Sequence, residues 1–300
     1  MRYFAGRSMT ENKIDHTAWI LLGILSLIWG CSFILIKKAL IAFDPVQLTC
    51  LRLGISALTF APFVVYYRKE IEWNRLGTFF LVGMTGSGVP AFLFFKAQTH
   101  VSSSIAGVLN SMTPIWTLLL GGLFFNTGFS KKRTTGVFMG FAGAASLLWI
   151  GGTQDSGENG LFGLLIVCAT LCYGLSVNLV QGFFHQTRPI IISAVSFFSI
   201  GIPAILYLFT TDVTRVVETH PDALYSLISV ATLSLFGTVI ASIIFYSLVQ
   251  RTNAVFGSTT TYFMPIIALA WGIADKETIG IVHFLSMGLI LYGVYLIKRN

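Results

Sequence analysis

Residues 101–125, VSSSIAGVLNSMTPIWTLLLGGLFF, contain no charged side chain and one proline, Pro114. Small and polar residues precede this proline, and large apolar residues follow it. Residues 252–274, TNAVFGSTTTYFMPIIALAWGIA, repeat the arrangement, and Pro265 follows Pro114 by 151 residues. About 20 apolar residues in a helix cross the hydrocarbon core of a membrane, and a proline inside the helix removes a backbone hydrogen bond. The two stretches therefore predict a matched pair of transmembrane helices, each kinked at its proline.

The composition of the whole chain is that of an integral membrane protein. Of its 300 residues, 55% are hydrophobic and 10% are charged, whereas soluble domains carry about 25% charged residues. No basic patch is interleaved with aromatic residues, so we expect no nucleic-acid partner. The four cysteines lie in hydrophobic runs without metal-ligand spacing, which predicts free thiols and no metal or other cofactor. Because no nucleophile–base pair, Walker A sequence or zinc motif occurs, we expect neither an enzyme nor an ATP-driven pump.

Charge-poor runs predict ten transmembrane helices, because lipid cannot hydrogen-bond to an exposed backbone. The first five would form a repeat over residues 17–152 and the last five a repeat over residues 160–297, joined by a loop at 153–159. Residues 1–16 are polar and form an N-terminal tail. The predicted spans are 17–37, 46–67, 75–96, 102–125, 134–152, 160–183, 189–211, 223–249, 253–274 and 278–297. We therefore predict an all-α integral membrane protein without a soluble domain.

The positions of lysine and arginine predict the orientation of the chain. Thirteen of the 19 would lie on the side of the N-terminus and five on the opposite side, with Arg52 inside a span. Positive residues are more frequent in cytoplasmic segments than in segments on the opposite side. We therefore expect a multi-pass protein of the cell's inner membrane with both termini in the cytoplasm.

An internal repeat relates the two halves of the chain. Its offset is 144 residues in the first two spans of each half and 151 later, and the longer connection at 210–222 accounts for the change. The matched positions include Trp29 with Tyr173, Pro45 with Pro189, Phe95 with Tyr246 and Pro114 with Pro265. Because each half has an odd number of spans, the second half enters the membrane from the opposite side. Inverted repeats of this kind are typical of secondary transporters, whose solute site lies near the bilayer midplane.

Several parts of this repeat carry a family resemblance. Residues 29–32 (WGCS) place a Trp-Gly pair before small residues in the first span, and Pro45 precedes the second span with Arg52 seven residues later. Residues 94–125 join an aromatic helix end, a short turn and the polar, proline-containing helix, and residues 245–277 repeat that block. This doubled pattern resembles the EamA-type transporters of the drug/metabolite transporter superfamily.

The resemblance covers residues 18–297 and implies a ten-helix fold and the export or facilitated movement of small metabolites. The chain departs from the family pattern in two places. The family often has an acidic residue at the end of the fourth and ninth spans, which the second copy keeps at 275–277 (DKE), whereas the first copy has Phe125-Asn126. The second copy also has Ser196 where the first has Arg52.

Aromatic and long polar side chains share one face of the first span. Trp29, Phe33 and Lys37 recur at helical spacing, and the offset of 144 places Tyr173 and Gln181 on the equivalent face of the sixth span. We interpret this face as one side of a cavity in which an organic solute stacks on aromatic rings. The alternative interpretation is ordinary helix packing, with interfacial anchoring by Trp and Tyr and outward snorkelling of Lys37.

The two prolines indicate a second part of the cavity. Pro114 and Pro265 have no N–H, so each frees the carbonyl four residues earlier, on Asn110 and Thr261. Neighbouring hydroxyl and amide groups could bind a solute there. In the alternative interpretation these side chains only satisfy the freed backbone groups.

Two basic residues carry the energetically costly charges. An ionisable group at the centre of a membrane helix costs about 2.5–3.5 kcal/mol, so Arg52 and Lys96 could pair with an anionic group on a solute. No Asp or Glu lies in the middle of any predicted span, which argues against proton-coupled export of cations. Asp275 and Glu277 lie at a span end, where we expect them to be solvated or paired with Lys276.

These features predict a secondary transporter that moves a small organic metabolite by alternating access, with an amino-acid or metabolite exporter or facilitator as the first choice. The alternative is an exchanger of anionic nucleotide-like or phosphorylated metabolites, and the alternative from another class is a non-transporting membrane scaffold or sensor. The expected partners are a small-molecule solute and the lipid bilayer, and no oligomer is required. The predicted cavity residues are Trp29, Phe33, Lys37, Arg52, Phe95, Lys96, Asn110, Thr113, Tyr173, Gln181, Tyr246, Thr260, Thr261 and Tyr262.

Overall fold

Helices joined by short connections make up the part of the chain that the computed structural model describes, which is residues 15–124, 131–154, 159–277 and 279–298. Most of the predicted tail at 1–16 and of the predicted loop at 153–159 lies outside these residues. The helices, in chain order, are α1 (His16–Ala39), α2 (Pro45–Tyr66), α3 (Trp73–Gln98), α4 (Ser103–Phe124), α5 (Lys131–Gln154), α6 (Asn159–Phe183), α7 (Pro189–Leu208), α8 (Val213–Thr219), α9 (Ala223–Arg251), α10 (Ala254–Ala274) and α11 (Ile281–Lys298).

Eight of these helices are long and apolar enough to cross a membrane, namely α1 to α4, α6, α7, α9 and α10. Within the described residues, α5 and α11 contain shorter apolar stretches, Thr135–Ser146 and Ile281–Gly293. The chain is therefore an all-helical protein with eight candidate membrane spans, and the two further spans stay a prediction. The connection at 210–222 contains α8, a short helix that we did not expect from the sequence.

Helix packing follows the same pattern in both halves. α2 packs along α7, and α5 packs along α11. α1 packs against α9 and α10, and α6 packs in the same way against α3 and α4. At the α2–α7 contact the rings of Phe60 and Phe197 stack with their centroids 5.7 Å apart. The first helix of each half therefore packs against two helices of the other half.

α4 and α10 are each interrupted where a proline begins a new segment. In α4 the segment Ser103–Asn110 ends, and a new segment begins at Thr113 with Pro114 in its first turn. In α10 a 3₁₀ turn, Thr259–Tyr262, precedes the segment that has Pro265 in its first turn. Proline is favourable there, because the first N–H groups of a helix have no acceptor within it.

Hydroxyl groups satisfy both carbonyls that these interruptions free. Thr113 Oγ1 donates to the carbonyl of Asn110 at 2.9 Å, and Ser111 Oγ donates to the carbonyl of Thr261 at 3.1 Å. The second bond joins α4 to α10, so the two interrupted helices meet at their breaks. Some of the hydroxyl groups near the prolines therefore satisfy backbone carbonyls.

α3 and α9 each contain one wide turn. Met84–Gly88 and Leu235–Ile240 are π-helical, and these segments begin 151 residues apart. Such turns replace the i→i+4 hydrogen bonds by longer i→i+5 bonds and are frequent at functional sites. The first wide turn lies against α6 and the second against α1, so each wide turn contacts the first helix of the other half.

An ionic cluster joins the end of α1 to the end of α10. Lys37 pairs with Asp275 at 2.6 Å and with Glu277 at 3.0 Å, and Lys38 also pairs with Asp275. We expected both acids to be solvated or paired with Lys276, and that expectation was wrong. Their partners belong to the other half of the chain, because the end of α10 lies beside the end of α1.

The way in which α10 ends directs Glu277 into the bundle. Lys276 has a φ of 59°, and the N–H of Glu277 donates to the carbonyl of Gly272 at 2.8 Å, which is a common helix stop that reverses the chain. The Glu277 carboxylate then accepts hydrogen bonds from the backbone N–H and the hydroxyl of both Ser103 and Ser104. These are the first residues of α4, so the negative charge also faces the positive end of that helix dipole.

This cluster favours the ionised form of both carboxyl groups. Hydrogen bonds from Lys37 and Lys38 lower the pKa of Asp275. Burial alone raises the pKa of Glu277, but hydrogen bonds from the two serines and Lys37 outweigh burial, so the pKa is lowered. A carboxyl group with a lowered pKa stabilises the folded state above its unfolded pKa, and the contribution is lost as the pH falls through its folded pKa.

Replacement of Glu277 by alanine should lower the free energy of unfolding by about 2 kcal/mol. The N–H and hydroxyl groups of Ser103 and Ser104 then lose their acceptor, whereas Lys37 keeps its pair with Asp275. The Glu277 side chain is only 5% exposed. Thermal unfolding of the detergent-solubilised protein, followed from neutral pH to about pH 3, measures the effect. The wild type should lose stability below about pH 4, and Glu277→Ala should lose less of it.

Glu70→Ala is the matched control for this measurement. Glu70 pairs with Arg188, but its side chain is 48% exposed, so its removal should cost less than about 1 kcal/mol. Equal losses in the two variants, or an unchanged pH dependence in Glu277→Ala, would contradict a structural role for the cluster.

Candidate functional site

A central cavity of about 130 Å³ lies beside the breaks in α4 and α10. All eight candidate spans contribute at least one residue to its lining, whereas α5 and α11 contribute none of the described lining residues. Cavities between the helices of a bundle are common sites for small molecules. The cavity is therefore the candidate functional site.

Aromatic rings from both halves enclose the cavity. Trp29 Nε1 donates to the carbonyl of Gly237 at 2.9 Å, and its ring meets the ring of Phe245 with centroids 5.2 Å apart. Tyr173 lies against Phe94 with ring centroids 6.0 Å apart. Trp29 and Tyr173 are matched positions of the repeat, as are Phe245 and Phe94, so equivalent aromatic contacts occur in both halves.

Glycines in the wide turns allow α3 to approach α6 closely and α9 to approach α1 closely. A Cβ atom at Gly86 would lie 2.6 Å from Ser176 Oγ, and a Cβ atom at Gly237 would lie 2.9 Å from Ser32 Oγ. Ser32 and Ser176 are themselves matched positions at the offset of 144. These two close contacts bring hydroxyl groups to the cavity surface on both sides.

Two polar atoms in the cavity lining have no hydrogen-bond partner among the described residues. They are Oδ1 of Asn110, whose Nδ2 contacts Met264 Sδ at 3.1 Å, and Oγ of Ser87. A buried polar group without a partner costs about 1–3 kcal/mol. A solute that donates hydrogen bonds to these oxygens would recover that cost, so both atoms are candidate contacts.

Arg52 is the one charged residue among the described residues that line the cavity. Its Nε donates to Thr238 Oγ1 at 2.7 Å, and its guanidinium lies over the ring of Phe95, 5.7 Å from the centroid. No acidic side chain belongs to the same lining. Because a charge within a membrane helix costs about 2.5–3.5 kcal/mol, an uncompensated arginine there favours a role in binding an anionic group.

The structure brings eight of the fourteen predicted cavity residues together around the cavity. They are Trp29, Phe33, Arg52, Asn110, Thr113, Tyr173, Tyr246 and Thr261. Of the other six, Phe95 is fully buried beneath Arg52, and Lys37 belongs to the ionic cluster. Lys96 is exposed and lies over the ring of Phe162.

The last three predicted residues serve the packing around α10. Gln181 Oε1 accepts a hydrogen bond from the N–H of Ala254 at 2.8 Å, at the start of α10. The carbonyl of Thr260 accepts one from Ser26 Oγ at 3.0 Å. Tyr262 packs against the hydrophobic core. Lys37 and Gln181, which we expected to face the cavity from matched positions, therefore both lie at helix ends, where they find polar partners.

Several lining residues were not predicted. They include Ser32, Phe94, Ser176, Phe197, Ser242 and Phe245. The repeat offset contains the signal for most of them, because Ser32 matches Ser176 and Phe94 matches Phe245. Phe197 has no such signal, since its place depends on how α7 packs along α2.

The fold and the cavity together define an all-helical protein with eight candidate membrane spans around a central cavity. The EamA-like transporter family matches the chain twice, at residues 17–149 and 161–299. The chain therefore belongs to the EamA-like transporter family.

Three relatives are also described as transporters. An uncharacterized transporter of Archaeoglobus fulgidus is 24% identical over 94% of this chain and 99% of its own length. An S-adenosylmethionine/S-adenosylhomocysteine transporter of Chlamydia muridarum is 23% identical over 86% of this chain and 84% of its own. The uncharacterized inner membrane transporter YedA of Escherichia coli K12 is 23% identical over 91% and 88%. One crystal structure has the same fold, with a TM-score of 0.63 and 14% identity over 93% of this chain and 96% of its own.

Gly86→Ala should destabilise the protein by about 1–2 kcal/mol, because the new methyl group meets the Ser176 hydroxyl. The double variant Gly86→Ala/Ser176→Ala should recover most of this loss, since the nearest atom of residue 176 is then its Cβ, 3.4 Å away. Unfolding midpoints of the purified variants measure both effects. Gly23→Ala is the control, because a Cβ there has no neighbour within 4 Å, and an equal loss in it would contradict the close contact.

Proposed function

We propose that this chain is a secondary transporter that moves a small organic metabolite through the central cavity by alternating access. The observation that carries the proposal is the position of the cavity beside the breaks of two helices from different halves of the chain. Interrupted helices at the interface of two repeats are typical of solute sites in secondary transporters. The names of the relatives, all transporters, agree with this function.

We further propose that the chain consists of two five-helix repeats, residues 17–152 and 160–297. The two separate family matches support this division, as do the wide turns that begin 151 residues apart. The equivalent packing of α1 and α6 against two helices of the opposite half supports it too. In this proposal α5 and α11 are the fifth span of each repeat.

Contacts at the helix ends support opposite directions for the two repeats. Glu277 follows the end of α10 and contacts Ser103 at the start of α4, so these helices run antiparallel. Lys37, near the end of α1, contacts the same Glu277. Phe162, near the start of α6, stacks on His100 just before α4. The end of α1 is thus level with the start of α6, which an inverted repeat requires.

The solute that fits this cavity best is an amino acid or a similar zwitterionic metabolite. Aromatic rings, hydroxyl groups and Arg52 offer stacking, hydrogen bonds and a partner for one anionic group. No acidic residue lies within a predicted span, so we propose facilitated diffusion or exchange in preference to proton antiport.

A nucleotide-like or otherwise nucleoside-containing solute is the second candidate. The relative from Chlamydia muridarum is named as a transporter of S-adenosylmethionine and S-adenosylhomocysteine, which are amino acids that carry a nucleoside. The ring pairs of Trp29 with Phe245 and Phe94 with Tyr173 could stack on a base. Arg52 would bind the carboxylate or a phosphate of such a solute.

We place the protein in the cell's inner membrane with both termini in the cytoplasm. Protease protection of epitope tags in membrane vesicles of known orientation tests this arrangement. Tags at both termini should be cleaved from the cytoplasmic side, and a tag inserted between residues 155 and 158 should be cleaved from the opposite side. Cleavage of the internal tag from the cytoplasmic side would contradict a spanning α5.

Flux into proteoliposomes, with and without the same unlabelled solute inside, tests the transport function. The protein should move at least one labelled solute from a panel of the standard L-amino acids, S-adenosylmethionine, S-adenosylhomocysteine and nucleoside phosphates. The flux should be the same with and without an imposed pH gradient. Strong accumulation that is driven by the pH gradient without a counter-solute would contradict facilitated diffusion or exchange. Absence of both flux and solute-dependent thermal stabilisation across the panel would favour the scaffold or sensor.

A further inference from the structure

Most residues that line the cavity occur as matched pairs of the repeat, but its one charged residue does not. Arg52 of α2 corresponds to Ser196 of α7 at the offset of 144. Ser196 is fully buried, and its hydroxyl has no hydrogen-bond partner among the described residues. The cavity lining therefore has a cation from the first half and, among its described residues, no charge from the second.

The environment of Arg52 holds the guanidinium in place without neutralising it. Thr238 Oγ1 accepts the hydrogen bond of Arg52 Nε, and the ring of Phe95 covers one face of the guanidinium. The nearest acid along the chain, Asp44, precedes Arg52 by eight residues, about 12 Å along a helix. Asp44 also accepts hydrogen bonds from the N–H groups of Val46 and Gln47 at the start of α2.

We propose that a carboxylate on the solute is the missing partner of Arg52 and that this requirement makes the protein an exchanger. The proposal rests on the proposed transport function and names the solute class and the mode of transport. With solute bound, the site holds a neutral ion pair. Without solute, the site must pass through the closed intermediate with one uncompensated charge.

The closed intermediate explains why exchange should dominate. In an open state, water that enters the cavity can solvate the guanidinium, but closure from both sides removes that water. The energetic cost of an unpaired arginine in a membrane corresponds to roughly a hundredfold in rate. The empty protein should therefore change sides slowly, whereas a bound carboxylate removes the barrier in both directions.

The unpartnered oxygens of the cavity restrict the solute class further. Asn110 Oδ1 and Ser87 Oγ lack hydrogen-bond partners among the described residues, and an ammonium or amine group could donate to them. A molecule with a carboxylate for Arg52 and a separate donor for these oxygens is an amino acid in the broad sense. Its remaining part would contact the aromatic rings.

The experiment compares efflux from preloaded proteoliposomes into two external solutions, one that contains the same probe unlabelled and one that contains none. The probes are the standard L-amino acids and S-adenosylmethionine. In the wild type the external probe should accelerate efflux by at least about tenfold. Arg52→Gln should bring this ratio close to one, and Arg52→Lys should retain acceleration because it keeps the charge.

Arg215→Gln is the matched control, because it removes an exposed cation in α8, and it should behave as the wild type. Wild-type binding gives a readout that does not need a variant to fold. A transported amino acid should raise the unfolding temperature, and the same molecule without its carboxylate, such as phenethylamine for phenylalanine, should not. Equal stabilisation by both molecules would overturn the pairing with Arg52.

Two further outcomes separate the failure of this inference from the failure of the transport function. Flux without acceleration by external probe, in a wild type that still transports, would overturn obligatory exchange and leave transport intact. Failure of every probe to bind or to move would overturn the proposed amino-acid transport itself.

Discussion

The bundle depends on one constraint, which is that a backbone carbonyl inside a membrane needs a hydrogen-bond donor. Two helices break in the middle of the bundle, and hydroxyl side chains supply the missing donors. Thr113 acts within α4, and Ser111 acts from α4 on the carbonyl of Thr261 in α10. Because the second donor comes from the other broken helix, the breaks must meet. The contact that satisfies the backbone is therefore also the contact that sets the position of the cavity.

Much of the fold follows from patterns that the chain repeats. The charge-free runs predict the candidate spans, since apolar length is a local property. The matched pairs, such as Trp29 with Tyr173, predict several residues of the cavity, because equivalent positions in two copies occupy equivalent places. The same offset also relates Ser32 to Ser176, so it could have predicted that both serines line the cavity.

Other features depend on tertiary contacts that no local pattern contains. Lys37 and Glu277 are 240 residues apart, and their pairing requires the left-handed turn at Lys276 that directs Glu277 into the bundle. Helical spacing places Lys37 on the same face as Trp29, but the end of α10 provides a stronger partner than the cavity does. The wide turn at 84–88 also has no periodic signature, because one altered turn leaves the apolar pattern almost unchanged.

The starts of the two broken helices are held by groups of different chemistry. A carboxylate, that of Glu277, binds the first residues of α4, whereas an amide, that of Gln181, binds the first residue of α10. Dissolved salt screens the former interaction and protons neutralise it, whereas the latter responds to neither. In an inverted arrangement these starts face opposite compartments, so ionic strength and acidity would act on this pair of contacts from one face of the membrane only. The two faces of a nearly symmetric fold therefore differ in the chemistry that holds the start of a broken helix.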